Sequence, residues 1–225
     1  MALENNALAN NVKITKLKYG HTKCYLLHGT SKSLLIDTDW SGKLPAFYHA
    51  LGEKSLRAQD INYLLITHYH PDHMGIAANL MNIGIKLIVM DCQQNYIHQS
   101  DHIFYKDNDS SFQPIDDQKI KVIKINQSRE FLASCGIPGV IINTPGHTND
   151  SISLVLDNGE AFVGDLYPQE QVPLYNDPVL TNSWYRLKNN GASLIHFAHY
   201  SNESITNSLN LTKIYKASVY NKNIK

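Results

Sequence analysis

Cysteine is scarce in this chain. Only Cys24, Cys92 and Cys135 occur among 225 residues. The number is odd and no two are spaced as Cys-x-x-Cys, so neither a disulfide framework nor a cysteine zinc knot is indicated. Reduced thiols in a cytoplasmic protein are the expectation. Net charge is missing too, because 20 Lys and Arg balance 20 Asp and Glu. Such a balance gives no global electrostatic case for a nucleic-acid partner. A weak basic drift at Lys213, Lys216, Lys222 and Lys225 reads as a solvated last helix and tail. No apolar run approaches the roughly 20 residues a membrane helix needs. The opening Met1-Ala2-Leu3-Glu4-Asn5-Asn6 lacks the apolar stretch of a signal peptide. The expectation is an unexported chain with no membrane partner.

What is present is an ordinary globular mixture, 43% apolar and 18% charged. Strands are predicted at 12–17, 61–66, 85–90, 119–125, 139–143, 151–156, 161–164 and 192–197. Cys24–Leu27 and Ser33–Asp37 read as a hairpin around His28-Gly29-Thr30. Helices are predicted at 44–51, from Gly75, at 91–105 with Asp91 as N-cap, at 177–190 and at 203–217. Residues 107–114 read as a surface loop. Strands and helices interleave along the whole length, which predicts one α/β domain over residues 1–225.

The densest chemistry lies in Thr67-His68-Tyr69-His70-Pro71-Asp72-His73-Met74-Gly75. This His-x-His-x-Asp-His run offers four metal-binding side chains between a predicted strand and a predicted helix. Imidazole and carboxylate together suit zinc, iron or manganese. Further candidates sit at the ends of later strands. His147 follows 139–143 in Thr144-Pro145-Gly146-His147-Thr148, Asp165 follows Gly164, and His199 ends the last strand. His196 and His199 are three apart, so an extended strand would point them to opposite faces. His199, at the strand end, is the candidate, and His196 reads as an ordinary sheet histidine. The set is His68, His70, Asp72, His73, His147, Asp165 and His199. Seven ligands exceed the needs of one tetrahedral ion. They suit two ions roughly 3.5–4 Å apart that share a carboxylate and a hydroxide.

With these pieces in order along the chain, the sequence resembles the metallo-β-lactamase-fold hydrolase superfamily. Asp37 in Leu34-Leu35-Ile36-Asp37-Thr38 belongs to the same pattern. The resemblance implies a four-layer αββα sandwich with the site at one edge between two sheets. It implies one metal on His68, His70 and His147 and a second on Asp72, His73 and His199. Asp165 would bridge them, with Asp72 and Asp165 as the catalytic carboxylates and Asp37 as a buried acid supporting the metal loop. Ile76, Asp39 and Asn149-Asp150 depart from glycine, glycine and Pro-Gly, which are common at these positions. None removes a ligand.

The activity implied is hydrolysis of a small-molecule ester, thioester or lactone by a metal-bridging hydroxide held on two zinc ions. Aspartate at position 165 and the missing leader argue against a true β-lactamase. Only residues 200–225 follow His199, too few for the glutathione-binding extension of glyoxalase II. A mononuclear iron persulfide dioxygenase is the alternative, with β-lactam hydrolysis a further one. Tyr69, Tyr167 and Tyr200 each neighbour a ligand in sequence. Each is a candidate donor to a developing oxyanion, although a tyrosine so placed more often only lines the pocket.

Overall fold

The computed structural model describes residues 12–205. Two sheets organise them. The first is built from β1 (Lys13–Lys18), β2 (Lys23–His28), β3 (Ser33–Ile36), β4 (Tyr63–Leu65), β5 (Lys86–Met90) and β6 (Lys121–Ile123), in that spatial order. The second runs β11-β10-β9-β8-β7, from β7 (Gly139–Asn143), β8 (Ile152–Leu156), β9 (Glu160–Phe162), β10 (Leu194–His196) and β11 (Glu203–Ser204). Helices α1 (Leu44–Gly52), α2 (Pro71–Met74), α3 (Ala77–Asn82), α4 (Asp101–Lys106) and α5 (Ser128–Cys135) follow in chain order, then α6 (Val172–Tyr175) and α7 (Pro178–Asn189).

The layering follows from the two-residue period of the strands. Leu26, Leu35, Leu64, Leu87 and Val89 point to one face of the first sheet, where they meet Phe47 and Leu51 of α1, Leu80 of α3 and Phe104 of α4. Leu27, Leu34, Ile36, Leu65, Ile88 and Met90 alternate to the other face and pack on Ile141, Ile152, Leu154 and Phe162 of the second sheet. The outer face of that sheet, through Val155, Ala161 and Ile195, rests on Leu180, Trp184 and Leu187 of α7. Helix, sheet, sheet and helix are thus stacked as the expected αββα sandwich.

Strand direction determines where function can sit. β3 to β6 are mutually parallel, so their C-terminal ends share one edge of the first sheet. β7 and β9 both run antiparallel to β8, and β10 runs parallel to β9. The C-terminal ends of β7, β9 and β10 therefore also share an edge. The two edges are stitched together. Ile152 N–H donates to Thr67 O at 2.9 Å, Lys23 N–H to Ala198 O at 3.0 Å, and the Tyr25 hydroxyl to Phe197 O at 3.1 Å.

Several elements differ from expectation. The predicted helix 91–105 is broken into a 3-10 turn at Asp91–Tyr96 and α4. The cause is inward hydrogen bonding. The fully buried Gln93 amide donates to three backbone carbonyls, and the Ser100 hydroxyl donates to Tyr69 O at 2.6 Å. Asp91 accepts from Cys92 N and Ile125 N, and Met90 takes the cap position. The strand at 119–125 shrinks to β6 and a 3-10 turn at Ile125–Gln127. Glu203 and Ser204, the start of the predicted closing helix, instead pair as β11 with Ile195 and Leu194. The remainder of that helix and the C-terminal lysines lie outside the described residues. In α7, within the predicted helix 177–190, Asp177 is the cap, accepting from Val179 N at 2.8 Å.

Trp184 is the largest fully buried side chain, and its indole N–H donates to Tyr167 O at 3.1 Å. Trp184→Ala should cost about 3–5 kcal/mol through the cavity and the lost contacts. Urea unfolding followed by circular dichroism measures this, and a cost below about 1 kcal/mol would contradict the packing described.

Candidate metal centre

Asp37 is where the site begins. It leaves β3 with φ of 59°, a left-handed conformation that aspartate tolerates better than most residues. This turn sends its buried carboxylate under the loop after β4. One oxygen accepts the Thr67 N–H at 2.7 Å, and the other accepts the Thr67 hydroxyl at 2.8 Å and faces His73 Nδ1 at 2.9 Å. Held at Nδ1, the His73 ring presents Nε2 on its far side. Thr38 N and Oγ1 both donate to His73 O, and the Thr22 hydroxyl donates to Asp72 O at 2.7 Å. Gly164 has φ of 58°, and a methyl group there would collide with Thr67. That close approach brings Asp165 over the loop from the second sheet.

All seven predicted side chains converge, in two groups. His68, His70 and His147 form one, and Asp72, His73, Asp165 and His199 the other, with donor atoms within 4.8 Å of one another in each. In the first group His70 Nδ1 stands 3.0 Å from both His68 Nε2 and His147 Nε2. In the second, His199 Nε2 lies 3.0 Å from Asp72 Oδ2 and His73 Nε2 lies 3.2 Å from Asp165 Oδ1. Asp165 faces both groups. Its Oδ2 is 4.0 Å from His68 Nε2 and 3.7 Å from His147 Nε2, and its Oδ1 is 3.4 Å from His199 Nε2.

This donor set fits cations. One imidazole nitrogen cannot satisfy two others at 3.0 Å with a single proton or lone pair, whereas three lone pairs can share an ion. His73 Nε2 and Asp165 Oδ1 are buried and, though close, are not aligned as a hydrogen bond, so both have coordination capacity to spare. The electrostatics agree. Burial, reinforced by the neighbouring histidines, holds His68 well below the usual imidazole range, which keeps it neutral with a free lone pair. Burial also lowers His147. At His73 burial works the same way but is outweighed by the carboxylates of Asp37 and Asp165, which raise it well above the ordinary value. The hydrogen bond with Asp72 raises His199. Burial would push Asp72 up, yet His199 and His73 bring it to about 2. Asp165 is likewise lowered, burial being overcome chiefly by His73. The second group thus attracts positive charge.

The tyrosines separate. Tyr69 is fully buried in the core beneath the first sheet, away from any open surface. Tyr167 meets His147 edge-on, with ring centroids 5.7 Å apart. Tyr200 is 38% exposed and packs on Phe197. His196 is an ordinary buried sheet histidine, bonded to Glu160 and Asn202.

Two supports escaped the sequence reading. Asp150 is fully buried, and its Oδ2 accepts the N–H of Tyr69, between His68 and His70, at 2.8 Å. Gln93 Nε2 donates to Ile66 O, Thr67 O and Asp150 O, tying the loop that carries His147 to the one that carries His68. The departure from Pro-Gly at Asn149-Asp150 was the available signal. At another departure, Asp39 is buried and accepts from Thr22 N and Trp40 N, which steadies the threonine that holds Asp72.

Residues 17–220 match the family model described as the metallo-beta-lactamase superfamily. The chain belongs to that superfamily, whose fold implies divalent-metal binding. It is similar to a beta-lactamase-like protein 2 homolog of Drosophila melanogaster, 29% identical over 157 residues, 69% of this chain and 50% of the relative. The chain thus spans about half the length of that curated relative. It is also similar to a probable metallo-hydrolase of Methanocaldococcus jannaschii, 27% identical over 88% of this chain and 87% of the relative. Among solved structures, a metallo-beta-lactamase family protein from Thermus thermophilus superposes with a TM-score of 0.65 at 17% identity, covering 94% of this chain and 79% of its own. A B3 metallo-beta-lactamase with an active-site glutamic acid superposes at 0.63 and 13% identity, covering 98% and 94%. At these identities the structural likeness is one of fold.

Supports behind metal-binding loops typically contribute 10–100-fold in metal affinity. Asp150→Ala should therefore weaken divalent-metal binding by about tenfold or more, while Asp150→Asn, which keeps an acceptor for Tyr69 N–H, should retain most of it. Competition with a chromophoric chelator reads this out. Equal affinities for wild type and the alanine variant would remove Asp150 from the site.

Proposed function

We propose that the chain is a zinc-dependent hydrolase acting in the cytoplasm on a small-molecule ester, thioester or lactone. His68, His70 and His147 would hold one ion and Asp72, His73 and His199 a second, with Asp165 between them. The observation that carries this reading is the position of Asp165, with one carboxylate oxygen toward each group. The relative named as a probable metallo-hydrolase supports the reaction class. Three free cysteines accord with a reducing compartment.

Two divalent ions held there would supply Lewis acidity, bringing a water molecule's pKa toward neutrality and polarising the substrate carbonyl. The residues do the rest. Asp72, kept ionised by His199 and His73, stays an acceptor across the physiological range. His68 and His73 form the buried floor, with side chains 1% and 0% exposed. His147, Asp165, Asp72 and His199 form the open rim from which substrate approaches. Tyr167 and Tyr200 stand beside rim residues and are our candidates for donating a hydrogen bond to a developing oxyanion. Tyr69, buried in the core, we leave out of that role.

Metal analysis by mass spectrometry of protein purified without added metal should give about two zinc ions per chain. Chelation should abolish thioester or lactone hydrolysis, and added zinc should restore it. About one iron per chain with little zinc would sink the dizinc reading in favour of persulfide oxidation, tested by oxygen uptake. Within the hydrolase reading, Asp165→Ala should lower kcat/KM by at least about 10–100-fold, the cost typical of losing even a group that only supports the metal ligands.

A further inference from the structure

Beside the open rim the chain displays apolar surface that the fold does not use. Tyr167, next to His147, is stacked on Tyr175 with ring centroids 4.2 Å apart and planes 24° from parallel. Leu174 is 83% exposed and Tyr175 47%. Both lie in α6, the four-residue helix Val-Pro-Leu-Tyr, which carries no charge.

The exposure belongs to an anchored segment. Before it, Gln169 N–H donates to Glu203 Oε1 at 3.0 Å, and Tyr167 O accepts from the buried Trp184. After it, Asn176 turns the chain with φ of 46° and Asp177 caps α7. The segment also buries Val172 in the core beneath α7. Tyr175 is joined through Tyr167 to His147 of the candidate metal centre, and Leu174, its neighbour in the chain, is left in water on the same backbone held at both ends. Such an apolar pair is suited to covering the apolar part of a bound molecule. The charges that flank the helix, Glu170 and Asp177, are both acidic and disfavour an anionic group there.

We propose that Leu174 and Tyr175, backed by Tyr167, form a subsite for an apolar aryl or alkyl group of the substrate. The substrate is then an aryl- or medium-chain ester or thioester, not a small polar one. This rests on the hydrolase reading above. The apolar group can belong to the acyl or the leaving part, and the test distinguishes them.

Zinc-loaded protein is assayed with the N-acetylcysteamine thioesters of acetate and phenylacetate, which differ in the acyl part. It is assayed in parallel with the ethyl and benzyl thioesters of acetate, which differ in the leaving part. Wild type should prefer the apolar member of one pair by at least about tenfold in kcat/KM. The Leu174→Ser/Tyr175→Ser variant should lower that ratio by about tenfold, and Leu174→Ser alone, at a residue almost wholly in solvent, should lower it in the same direction. A ratio unchanged in both variants, or equal loss on both members of each pair, overturns the subsite. So does a change from dimer to monomer on size exclusion, which would assign the face to a second copy of the chain. If wild type turns over none of these compounds, the hydrolase reading fails separately. Calorimetric binding of neutral 2-naphthol then decides the subsite: tenfold weaker binding to the double variant sustains it, and equal binding overturns it.

Discussion

The site depends first on one buried carboxylate. Asp37 is 2% exposed. Removing a carboxylate from water is costly, and the cost is tolerated only where several donors compensate it. Here the donors are the backbone and hydroxyl of Thr67 and the ring of His73. Each belongs to the loop that must be aimed. The compensation that makes burial of Asp37 tolerable is therefore the same set of contacts that fixes the geometry of His68 to His73. Loop stability and loop aim cannot be separated here.

Asp150 repeats this logic from the second sheet. Its carboxylate is buried and takes one loop amide, that of Tyr69, while its backbone carbonyl is held by Gln93. Asp37 anchors the loop at Thr67 and His73, and Asp150 anchors it between His68 and His70. The loop is fixed at three places along its length, by groups from both sides of the sandwich. Rigid support of this kind is what a site with several converging ligands requires.

The legibility of these features follows from their range in sequence. The His68–His73 run is local, and His147, Asp165 and His199 sit at strand ends, where periodicity already reveals a boundary. All seven candidate ligands could be named from the chain alone, and Asp37 followed from a familiar pattern. Gln93 could not, because a lone glutamine in an apparently helical stretch carries no signal until the carbonyls of Ile66, Thr67 and Asp150 are seen around it. The same contacts break the helix that local propensity predicts over 91–105. Asp150 was visible as an unusual residue, yet its partner lies 81 positions away. Glu203–Ser204 is too short to show a period, so only pairing with β10 reveals it as a strand. Tyr69 shows the converse. Its neighbours His68 and His70 face the site, while Tyr69 between them turns inward to the core.

Each ligand group draws on both sheets. His68 and His70 come from the first sheet and His147 from the second. Asp72 and His73 come from the first and Asp165 and His199 from the second. Neither group is complete unless the sheets are packed in register, and register depends on the apolar layer between them and on the contacts from Ile152, Lys23 and Tyr25 that stitch their edges. A cation bound to either group therefore binds the packed sandwich and not the separated sheets. Mass action makes that a stabilising term, about 2.7 kcal/mol at a free-ion concentration a hundredfold above Kd. The relation is reciprocal: what loosens the interlayer packing weakens cation binding, and what misplaces a ligand removes stability from the sandwich. Strand direction brought the ligands to one edge, and the chemistry proposed there in turn gives the two sheets a further reason to stay together.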